Sequence, residues 1–365
     1  MSEWQTFCLK DLGKIVGGAT PPTNNPKNYS NKIAWITPKD LSTLQGRYIK
    51  KGSRSISRLG FKSCSCVLLP KHAILFSSRA PIGYVAIAEK RLCTNQGFKS
   101  IIPNKKIYFE FLYYLLKYHK DNISNIGGGT TFKEVSGATL GLFQVKIPPT
   151  YYEQQKIART LSILDQKIEN NHKINELLHN LAHKVYEYYF KYKPKNAKLE
   201  QIIIENPKSS IMVKNAQKTQ DKYPFFTSGD NTLSYPKAII DGRNCFLNTG
   251  GNAGIKFYVG KASYSTDTWC ICANEFSDYL YLLLSSIKNH INQSFFQGTS
   301  LKHLQKNLLK KYPIYMPSAH EIKKFNQIIM PLLTLISINT RTSKKLEQIR
   351  DFLLPLLLNQ QVKPQ

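Results

Sequence analysis

The sequence predicts a protein of the α+β class that consists of two tandem mixed α/β domains, each followed by a long helix. Its 365 residues suit about two domains at roughly 150 residues per domain. Segments of the first half recur in the second half at a nearly constant offset, and a segment of about 40 residues with helical periodicity follows each globular part. The duplication and the two helical segments together define the predicted architecture.

The duplication is visible in three ordered pairs of similar segments. They are FLYYLL at 111–116 and YLYLLL at 279–284, GTTFK at 129–133 and GTSLK at 298–302, and VKIP at 145–148 and IYMP at 314–317. The starting positions of these pairs give offsets of 168, 169 and 169. Three matches in order at nearly one spacing are hard to obtain by chance, so we interpret the chain as two copies of one plan.

The globular parts are predicted to be rich in short strands, because short apolar runs alternate with proline and glycine. Strands are expected at 64–69, 73–76, 84–88, 98–102, 245–247, 255–259 and 269–273, and a short helix at 108–118. The basic segment KYKPKNAK at 191–198 is the predicted linker between the copies. The predicted boundaries are 1–148 for the first domain, 149–192 for the first long helix, 193–317 for the second domain, 318–358 for the second long helix and 359–365 for a tail.

Each long segment carries an apolar stripe at coiled-coil spacing. In the first, from about Tyr151 to Tyr192, the predicted stripe is Ile157, Leu161, Leu164, Ile168, Ile174, Leu178, Leu181, Val185 and Tyr189. In the second, from about Ala319 to Leu358, it is Phe325, Ile329, Leu332, Ile336, Asn339, Leu346, Ile349, Leu353 and Leu356. A helix of about 40 residues is about 60 Å long. Since so narrow a stripe cannot stabilise it alone, the two helices are predicted to pack on each other.

Two asparagines interrupt the two stripes at matching places. Asn170 and Asn339 are related by the same offset of 169, and they lie in corresponding breaks of the apolar pattern. A pair of asparagines in a helix–helix interface fixes the register at some cost in stability. The alternative, that each asparagine faces solvent, has equal weight at this point.

The formal charge of +28 indicates a polyanionic partner, because such a molecule repels itself unless nucleic acid or anionic lipid is nearby. The alternative is a compositional bias, since lysine dominates the positive charge, as an AT-rich gene would encode. No apolar run approaches the roughly 18 residues of a membrane-spanning helix, and the start lacks the regions of a signal peptide. The seven cysteines have no zinc-ligand spacing, so a reduced, cytoplasmic protein without a membrane partner is expected.

Motifs of nucleic-acid enzymes are hard to find in the sequence. A phosphate-binding P-loop that ends at Gly260-Lys261 fails, because Ile255 stands where the first glycine should be. The segment Ile147-Pro148-Pro149-Thr150 lacks both the acceptor and the aromatic ring of an adenine methyltransferase motif. The carboxylates and histidines form no pattern typical of a metal site. We therefore interpret the chain as one that binds a large partner and performs no reaction itself.

The loops best supplied with side chains for DNA contact lie in both globular parts. They are 37–40, 77–79, 94–97 and 127–133 in the first copy, and 227–231, 248–256, 265–268 and 297–302 in the second. Arginine pairs bidentately with guanine, and asparagine or glutamine with adenine. The candidate DNA-binding residues are Lys39, Arg79, Asn95, Gln96, Lys133, Arg243, Asn252, Lys256 and Lys302. For each of them, an ordinary turn residue is the alternative.

Several longer motifs in this order resemble the DNA-specificity subunit of type I restriction–modification systems. They are GGATPPTNN at 17–25, IAWITPKDL at 33–41, ILFSSRAPIGYVAI at 74–87, TNQGFKSIIP at 94–103, IPPTYYEQQKIARTLSILDQKI at 147–168, YPFFTSGDN at 223–231, GGNAG at 250–254, PIYMP at 313–317 and RDFLLPLLL at 350–358. The resemblance spans nearly the whole chain. The second copy departs from it, since it lacks the tryptophan-plus-TP and NQG segments and its helix begins HEIKKF. This difference suggests that the two halves read different sequences.

The resemblance implies two target recognition domains separated by two long helices that pack as an antiparallel coiled coil. Each domain would bind one part of a split, asymmetric site in double-stranded DNA, and the helices would set the gap between the parts. Two modification (methyltransferase) subunits would dock on this framework, and restriction subunits would join them. S-adenosylmethionine, ATP and Mg²⁺ would be used by those partners, and this chain would bind no cofactor.

Two other functions remain open from the residues alone. The chain could be a DNA-modifying enzyme with unrecognised motifs, or a basic coiled-coil protein that binds nucleic acid without sequence preference. Methyl transfer by the isolated chain would favour the first of these. Equal affinity for all duplexes at physiological salt would favour the second.

Overall fold

The computed structural model describes residues 3–79, 81–129, 133–216 and 222–364. The chain forms two compact units, and the boundary falls within both long helices. Unit 1 is Met1–Glu169 together with Ile349–Gln365, and unit 2 is Asn170–Gln348. Each unit therefore contains one globular part and a portion of both long helices.

The described residues of unit 1 form ten strands and five short or medium α-helices before the first long helix. The strands are β1 (Gln5–Cys8), β2 (Gly13–Gly17), β3 (Tyr29–Ile36), β4 (Tyr48–Ile49), β5 (Arg54–Ile56), β6 (Ile74–Phe76), β7 (Val85–Ala88), β8 (Cys93–Thr94), β9 (Lys99–Pro103) and β10 (Gln144–Ile147). The helices are α1 (Leu9–Leu12), α2 (Pro38–Ser42), α3 (Arg58–Lys62), α4 (Phe109–Asn125) and α5 (Gly137–Leu142). The long helix α6 (Tyr151–Phe190) follows and continues into unit 2.

Unit 2 repeats this arrangement. Its strands are β11 (Ala197–Lys198), β12 (Ile204–Glu205), β13 (Tyr223–Phe226), β14 (Leu233–Tyr235), β15 (Arg243–Asn248), β16 (Ile255–Val259), β17 (Ser263–Tyr264), β18 (Thr268–Cys272), β19 (Phe296–Gln297), β20 (His303–Leu304) and β21 (Pro313–Ile314). Its helices are α7 (Ser277–Ser286), α8 (Lys288–Ser294) and α9 (Lys306–Lys310), and the long helix α10 (Ala319–Leu358) ends in unit 1.

The main sheets of the two units correspond in strand order, although that of unit 1 has one more strand and unit 2 has an additional pair, β19-β20. Unit 1 has a five-stranded sheet in the order β2-β9-β6-β7-β4, and unit 2 a four-stranded sheet in the order β12-β18-β15-β16. Each unit also has a three-stranded sheet, β5-β3-β8 or β14-β13-β17, whose central strand pairs in parallel with a later strand. Antiparallel pairs β1-β10 and β11-β21 join the start and end of each globular part. The predicted duplication is thus confirmed at the level of topology.

The five-stranded sheet of unit 1 is buried on both faces. Along β6, Ile74 and Phe76 belong to one core cluster, and Leu75 belongs to another. Because successive strand residues point to opposite faces, this continuous apolar run supplies two cores. The first core contains α4 and, from the long helix, Leu161. The predicted strands at 73–76, 84–88 and 98–102 correspond to β6, β7 and β9, whereas 64–69 is irregular apart from a bridge between Leu69 and Leu92.

Both long helices begin with the same capping arrangement. Glu153 N donates to Thr150 Oγ1 over 3.2 Å, and Glu321 N donates to Ser318 Oγ over 3.3 Å. The glutamates lie three residues after the capping hydroxyl, as in a capping box. These caps explain why the helices start at Tyr151 and Ala319, as the sequence predicted.

The two long helices pack against each other in antiparallel directions. In unit 1, Arg350 Nη1 donates to Asp165 Oδ1 over 2.7 Å. In unit 2, Asn171 Nδ2 donates to Ser343 Oγ over 3.1 Å, and Asn339 Nδ2 donates to Asn175 Oδ1 over 2.9 Å. As the residue number rises along one helix, that of its partner falls. The predicted fold class, with its antiparallel helix pair, is therefore confirmed.

The register of this interface differs from the prediction in the middle of α6. Ile174 and Leu181 are 42% and 47% exposed, and Ala182 and Tyr186 are buried instead. Asn170 is exposed, so it does not pair with Asn339. Because α6 starts at 151 and α10 at 319, the helices are related by an offset of 168, and Asn171 is the counterpart of Asn339. Of the two alternatives, the solvent-facing one is therefore correct for Asn170, whereas Asn339 lies in the interface.

Membrane-spanning helices, disulfides and metal sites can be assessed over the described part of the chain. None of the helices in the described part of the chain has an apolar stretch that would cross a bilayer. The seven cysteines are free thiols. Among residues 3–79, 81–129, 133–216 and 222–364, no group of three or more His, Cys, Asp or Glu side chains could hold a metal ion.

Candidate nucleic-acid interface

Backbone hydrogen bonds bring the candidate DNA-binding loops of unit 1 together. Asn95 N donates to Ile36 O over 2.9 Å, which places loop 94–97 beside the end of β3. Ser78 N donates to Gly97 O over 2.8 Å, and Val135 N donates to Ser78 O over 3.0 Å. We call this set loop cluster 1; it consists of 37–40, 77–79, 94–97 and the described part of 127–133.

The corresponding loops of unit 2 are held by equivalent hydrogen bonds. Ser265 N donates to Phe226 O over 2.9 Å, Thr249 N donates to Asp267 O over 3.3 Å, and Leu304 N donates to Thr249 O over 3.0 Å. We call this set loop cluster 2; it consists of 227–231, 248–256, 265–268 and 297–302. The sequence predicted these loops one by one as candidates for DNA contact. The fold brings them together in the same way in both copies.

A glycine explains why the GTTFK and GTSLK segments recur. Gly129 has φ +120° and Gly298 has φ +142°, a region that side chains with a Cβ rarely adopt. A Cβ on Gly298 would also lie 2.4 Å from Leu301 O. The repeated segment therefore marks a turn in each loop cluster. Residues 130–132 of the first turn lie outside the described residues.

Four candidate residues of loop cluster 1 have accessible side chains. Lys39, Gln96 and Lys133 are exposed. Arg79 is 38% exposed at its side chain, and its Nη1 lies 3.3 Å from Glu134 Oε2. Such a half-exposed ion pair costs little to open, because exposed pairs contribute only about 0–1 kcal/mol.

Asn95 instead shapes the turn that carries Gln96. Its Oδ1 accepts a hydrogen bond from Gly97 N over 3.0 Å, and the residue is half-buried. The side-chain oxygen needed for bidentate pairing with adenine is thus already engaged. The placement of Asn95 supports the alternative of a turn residue.

In loop cluster 2, Asn252 and Lys302 are exposed, and Lys256 is not freely available. Lys256 Nζ donates to Thr227 O over 2.7 Å and also to Gly229 O. Burial lowers the pKa of Lys256. Lys256 therefore holds the 227–231 loop in place through the carbonyl oxygens of Thr227 and Gly229.

Arg243 lies at the start of β15, outside loop cluster 2, and its guanidinium is engaged within unit 2, so its contact with DNA stays a prediction. Its Nε and Nη2 donate to Asp278 over 2.6 and 2.5 Å, and its Nη1 donates to Thr334 Oγ1 over 2.9 Å. Burial raises the pKa of Asp278, and the two hydrogen bonds from Arg243 oppose this rise. A guanidinium with these contacts anchors α7 to α10 within unit 2. Residue type alone could not distinguish an anchoring arginine from a reading one.

An equivalent anchor exists in unit 1, built from a different arginine. Arg47 Nη1 lies 3.0 Å from Glu110 Oε1, and Arg47 Nε lies 3.1 Å from Glu169 Oε1. Glu110 and Asp278 occupy the first turns of α4 and α7, which are equivalent helices of the two copies. Each copy therefore ties the same helix to a long helix through an arginine.

Sequence reasoning missed the residues that support loop 94–97 from the N-terminal side. A Cβ on Gly18 would lie 2.1 Å from Asn95 O, so only glycine permits this approach. Thr20 Oγ1 donates to Gln96 Oε1. Both residues belong to the GGATPPTNN motif at 17–25.

The duplicated fold, with one assembled loop cluster in each copy, defines a protein with two related recognition surfaces. The family described as type I restriction modification DNA specificity domain matches residues 1–180 and 195–348. The MjaIX type I restriction enzyme specificity subunit of Methanocaldococcus jannaschii is 32% identical in an alignment 408 positions long, gaps included, which covers 98% of this chain and 93% of that protein. The putative MjaX specificity subunit of the same organism is 37% identical over 173 residues, 47% of this chain and 38% of that protein.

A solved structure has the same fold at lower identity. The type I restriction–modification S subunit from M. genitalium superposes with a TM-score of 0.63 at 17% identity, over 97% of this chain and 96% of that chain. This structural match and the sequence matches agree on one family. The chain belongs to the type I restriction–modification DNA specificity family, as its motifs had suggested.

Proposed function

We propose that this chain is the specificity subunit of a type I restriction–modification complex and that each loop cluster reads one part of a bipartite, asymmetric site in double-stranded DNA. The observation that carries this proposal is the equivalence of the two clusters. Their backbone hydrogen bonds match, while the exposed side chains that they present differ. A shared frame with different exposed side chains is suited to two different half-sites.

The exposed residues divide into two chemical classes. Lys39, Lys133 and Lys302 are point charges suited to phosphates, which contribute affinity without sequence information. Arg79 carries a pair of donors that matches guanine in the major groove, and Gln96 and Asn252 each carry the donor and the acceptor that match adenine. The Gln96 oxygen accepts from Thr20 Oγ1, a bond that pairing with adenine would replace. Sequence preference therefore depends on the second class, and salt dependence on both the first class and the overall charge of +28.

The proposal extends to partners. Two modification subunits and restriction subunits would assemble on this chain, and they would use S-adenosylmethionine, ATP and Mg²⁺. In this arrangement the chain is not itself catalytic and binds none of these cofactors. Its contribution is to place DNA in a fixed position for the other subunits.

The test is to purify the chain with its modification partner and to locate methylated adenines in cells with and without the gene. We expect methylation at one bipartite sequence, and binding to that sequence about 10³-fold tighter than to shuffled DNA. Equal affinity for both duplexes would refute the proposal. Methyl transfer by the isolated chain, without a partner, would also refute it.

A further inference from the structure

Unit 2 contains a basic cleft to which the proposed base contacts of loop cluster 2 assign no role. The cleft has a volume of about 860 Å³ and lies between β13, β16 and one face of α10, with Asp230, Thr232, His179 and Tyr281 also lining it. Six of its lining side chains are cationic, and Asp230 is the one carboxylate among the lining residues that the structure describes. The cations are Lys222, Lys256, Lys261, Arg341, Lys344 and Lys345.

Several of these cations donate hydrogen bonds to neutral oxygens, which hold the side chain in place. Arg341 Nη1 donates to Val259 O over 2.8 Å and to Tyr258 OH over 3.2 Å. Lys344 Nζ donates to Leu233 O over 3.2 Å and to Ser234 Oγ over 2.5 Å. Like charges held together in this way repel one another, so the cleft is stabilised when an anion enters it.

The cations on α10 form a continuous stripe. Arg341, Lys344, Lys345 and Gln348 follow the spacing i, i+3, i+4, i+7, which places them on one helix face. Gln348 is neutral, so the three cations of the stripe span about 6 Å at 1.5 Å per residue. One DNA strand presents a phosphate about every 3.4 Å along the duplex axis, so these cations can face about two phosphates.

The cleft is continuous with loop cluster 2. Asp230 lines the cleft and belongs to the 227–231 loop, and Lys256 lines it while donating to Thr227 O. A duplex whose bases face that loop therefore has its backbone close to the cleft. This continuity favours the phosphodiester backbone over a free nucleotide as the occupant.

The stripe is specific to the second copy. Under the offset of 168 that relates the long helices, the equivalent positions on α6 are Lys173, Glu176, Leu177 and Asn180. They include an acid and an apolar residue, and they do not form a cationic stripe. The feature is thus an addition to one copy of the duplicated plan.

We propose that this basic cleft binds the phosphodiester backbone of DNA next to the bases read by loop cluster 2. It acts as a phosphate clamp that contributes affinity to one half-site and no base preference. This inference rests on the proposed function, since it requires that loop cluster 2 contact DNA.

The test compares Lys261→Gln/Lys345→Gln with the control Lys323→Gln/Lys324→Gln. All four lysines are exposed, and the control pair removes the same charge from α10 outside the cleft. The probes are a duplex with the methylated bipartite site and a shuffled duplex of equal length. Dissociation constants are measured for the complex with its modification subunits across a range of salt concentrations.

For the cleft variant we expect weaker binding to both duplexes, by about five-fold or more at about 0.1 M salt, with their ratio unchanged. The salt slope should fall by about 0.9 per lost contact, hence up to about 1.8. The control should match the wild type, and Lys261→Arg/Lys345→Arg should restore the slope. An unchanged slope, or a change in the ratio alone, would overturn the proposal.

Neutral methylphosphonate linkages, introduced one at a time beside the half-site, identify the phosphate directly. At the clamped position they should weaken wild-type binding and leave the cleft variant unaffected. If AMP stabilises the wild type against heat while the DNA salt slope is unaffected by the variant, the site is a nucleotide site and the clamp is refuted. Loss of discrimination between the duplexes by the wild type would refute the proposed function, while the slopes would still test the clamp.

Discussion

Asn339 donates from Nδ2 to Oδ1 of Asn175 over 2.9 Å, across the two long helices of unit 2. The neighbouring bond from Asn171 to Ser343 has the same relationship, because each pair converts into the other when the numbering shifts by the offset between the helices. The helix pair is therefore locally two-fold symmetric at this polar layer. Such a polar layer within a helix–helix interface specifies register.

Replacing Asn171 with alanine should lower the free energy of unfolding by about 1–2 kcal/mol relative to Asn170→Ala, because the buried Ser343 hydroxyl loses its partner. Both variants gain the same helix propensity, so their difference isolates the hydrogen bond. Urea unfolding monitored by circular dichroism measures it. Equal midpoints for the two variants would show that the layer contributes nothing.

The buried ion pair of unit 1 should be far more sensitive. Asp165 accepts hydrogen bonds from Arg350 and from Tyr114 OH over 2.7 and 2.6 Å, and its side chain is 5% exposed. Asp165→Ala should cost about 3–5 kcal/mol, because it leaves Arg350 buried without its main partner. Asp351→Ala removes the exposed partner of the same arginine and should cost at most about 1 kcal/mol. Thermal melting of both variants provides the comparison.

The start of α10 should respond to acid. Hydrogen bonds from Ser318 N, Tyr315 OH and Ser318 Oγ, with Lys193 nearby, lower the pKa of Glu321 to about 2 from its ordinary value of 4.5. A lowered folded-state pKa stabilises the fold above about 4.5, and this contribution is lost as the pH falls towards 2. The stability difference between wild type and Glu321→Gln should therefore be full at pH 6 and shrink between pH 4.5 and 2. A constant difference over this range would contradict the assignment.

The two loop clusters should be separable by mutation. Arg79→Ala should weaken or relax only the half-site that unit 1 reads, and Lys302→Ala should weaken binding to the other half-site without relaxing it. Each variant is the control for the other. Methylome sequencing and binding to duplexes with one altered half-site report the outcome. If both variants affected the same half-site, the assignment of one unit per half-site would be wrong.

The helix pair should set the gap between half-sites. Seven residues inserted after Ile168 and seven after Leu346 lengthen both helices between the Asp165–Arg350 and Asn171–Ser343 pairs, and so preserve both. A heptad adds about 10 Å, or about three base pairs at 3.4 Å each. Methylome sequencing should show a wider gap between unchanged half-sites. An insertion in α6 alone should abolish methylation, because it shifts the polar layer out of register.

Local patterns predicted the elements of the fold well and their contacts less well. The long helices and the strands β6, β7 and β9 follow from periodicity and from short apolar runs. Periodicity could not decide which apolar stripe of α6 faces inward, because Ile174 and Leu181 form a regular pattern and are nevertheless exposed. The partner helix decides this, and no local pattern records it.

The candidate site shows the same division. The loops could be identified because DNA-contacting residue types cluster in them, and all eight belong to the two loop clusters. The roles of individual residues could not be predicted, because Arg79 and Arg243 have the same side chain and differ only in the groups that surround it. Arg243 faces the buried Asp278, whereas Arg79 faces a half-exposed glutamate. Glutamates and aspartates distant in sequence thus determine which arginine is available.

The division of the helices between the units also affects biosynthesis. The core of unit 1 includes Leu354, Leu357 and Leu358 from the end of α10, together with Leu161 from α6. A ribosome completes the first globular part long before it supplies these residues. The N-terminal domain is thus synthesised first but completes its core last. The apolar surface that Leu354, Leu357 and Leu358 cover stays exposed while unit 2 is translated. Premature termination near residue 348 would consequently harm the N-terminal domain more than the C-terminal one.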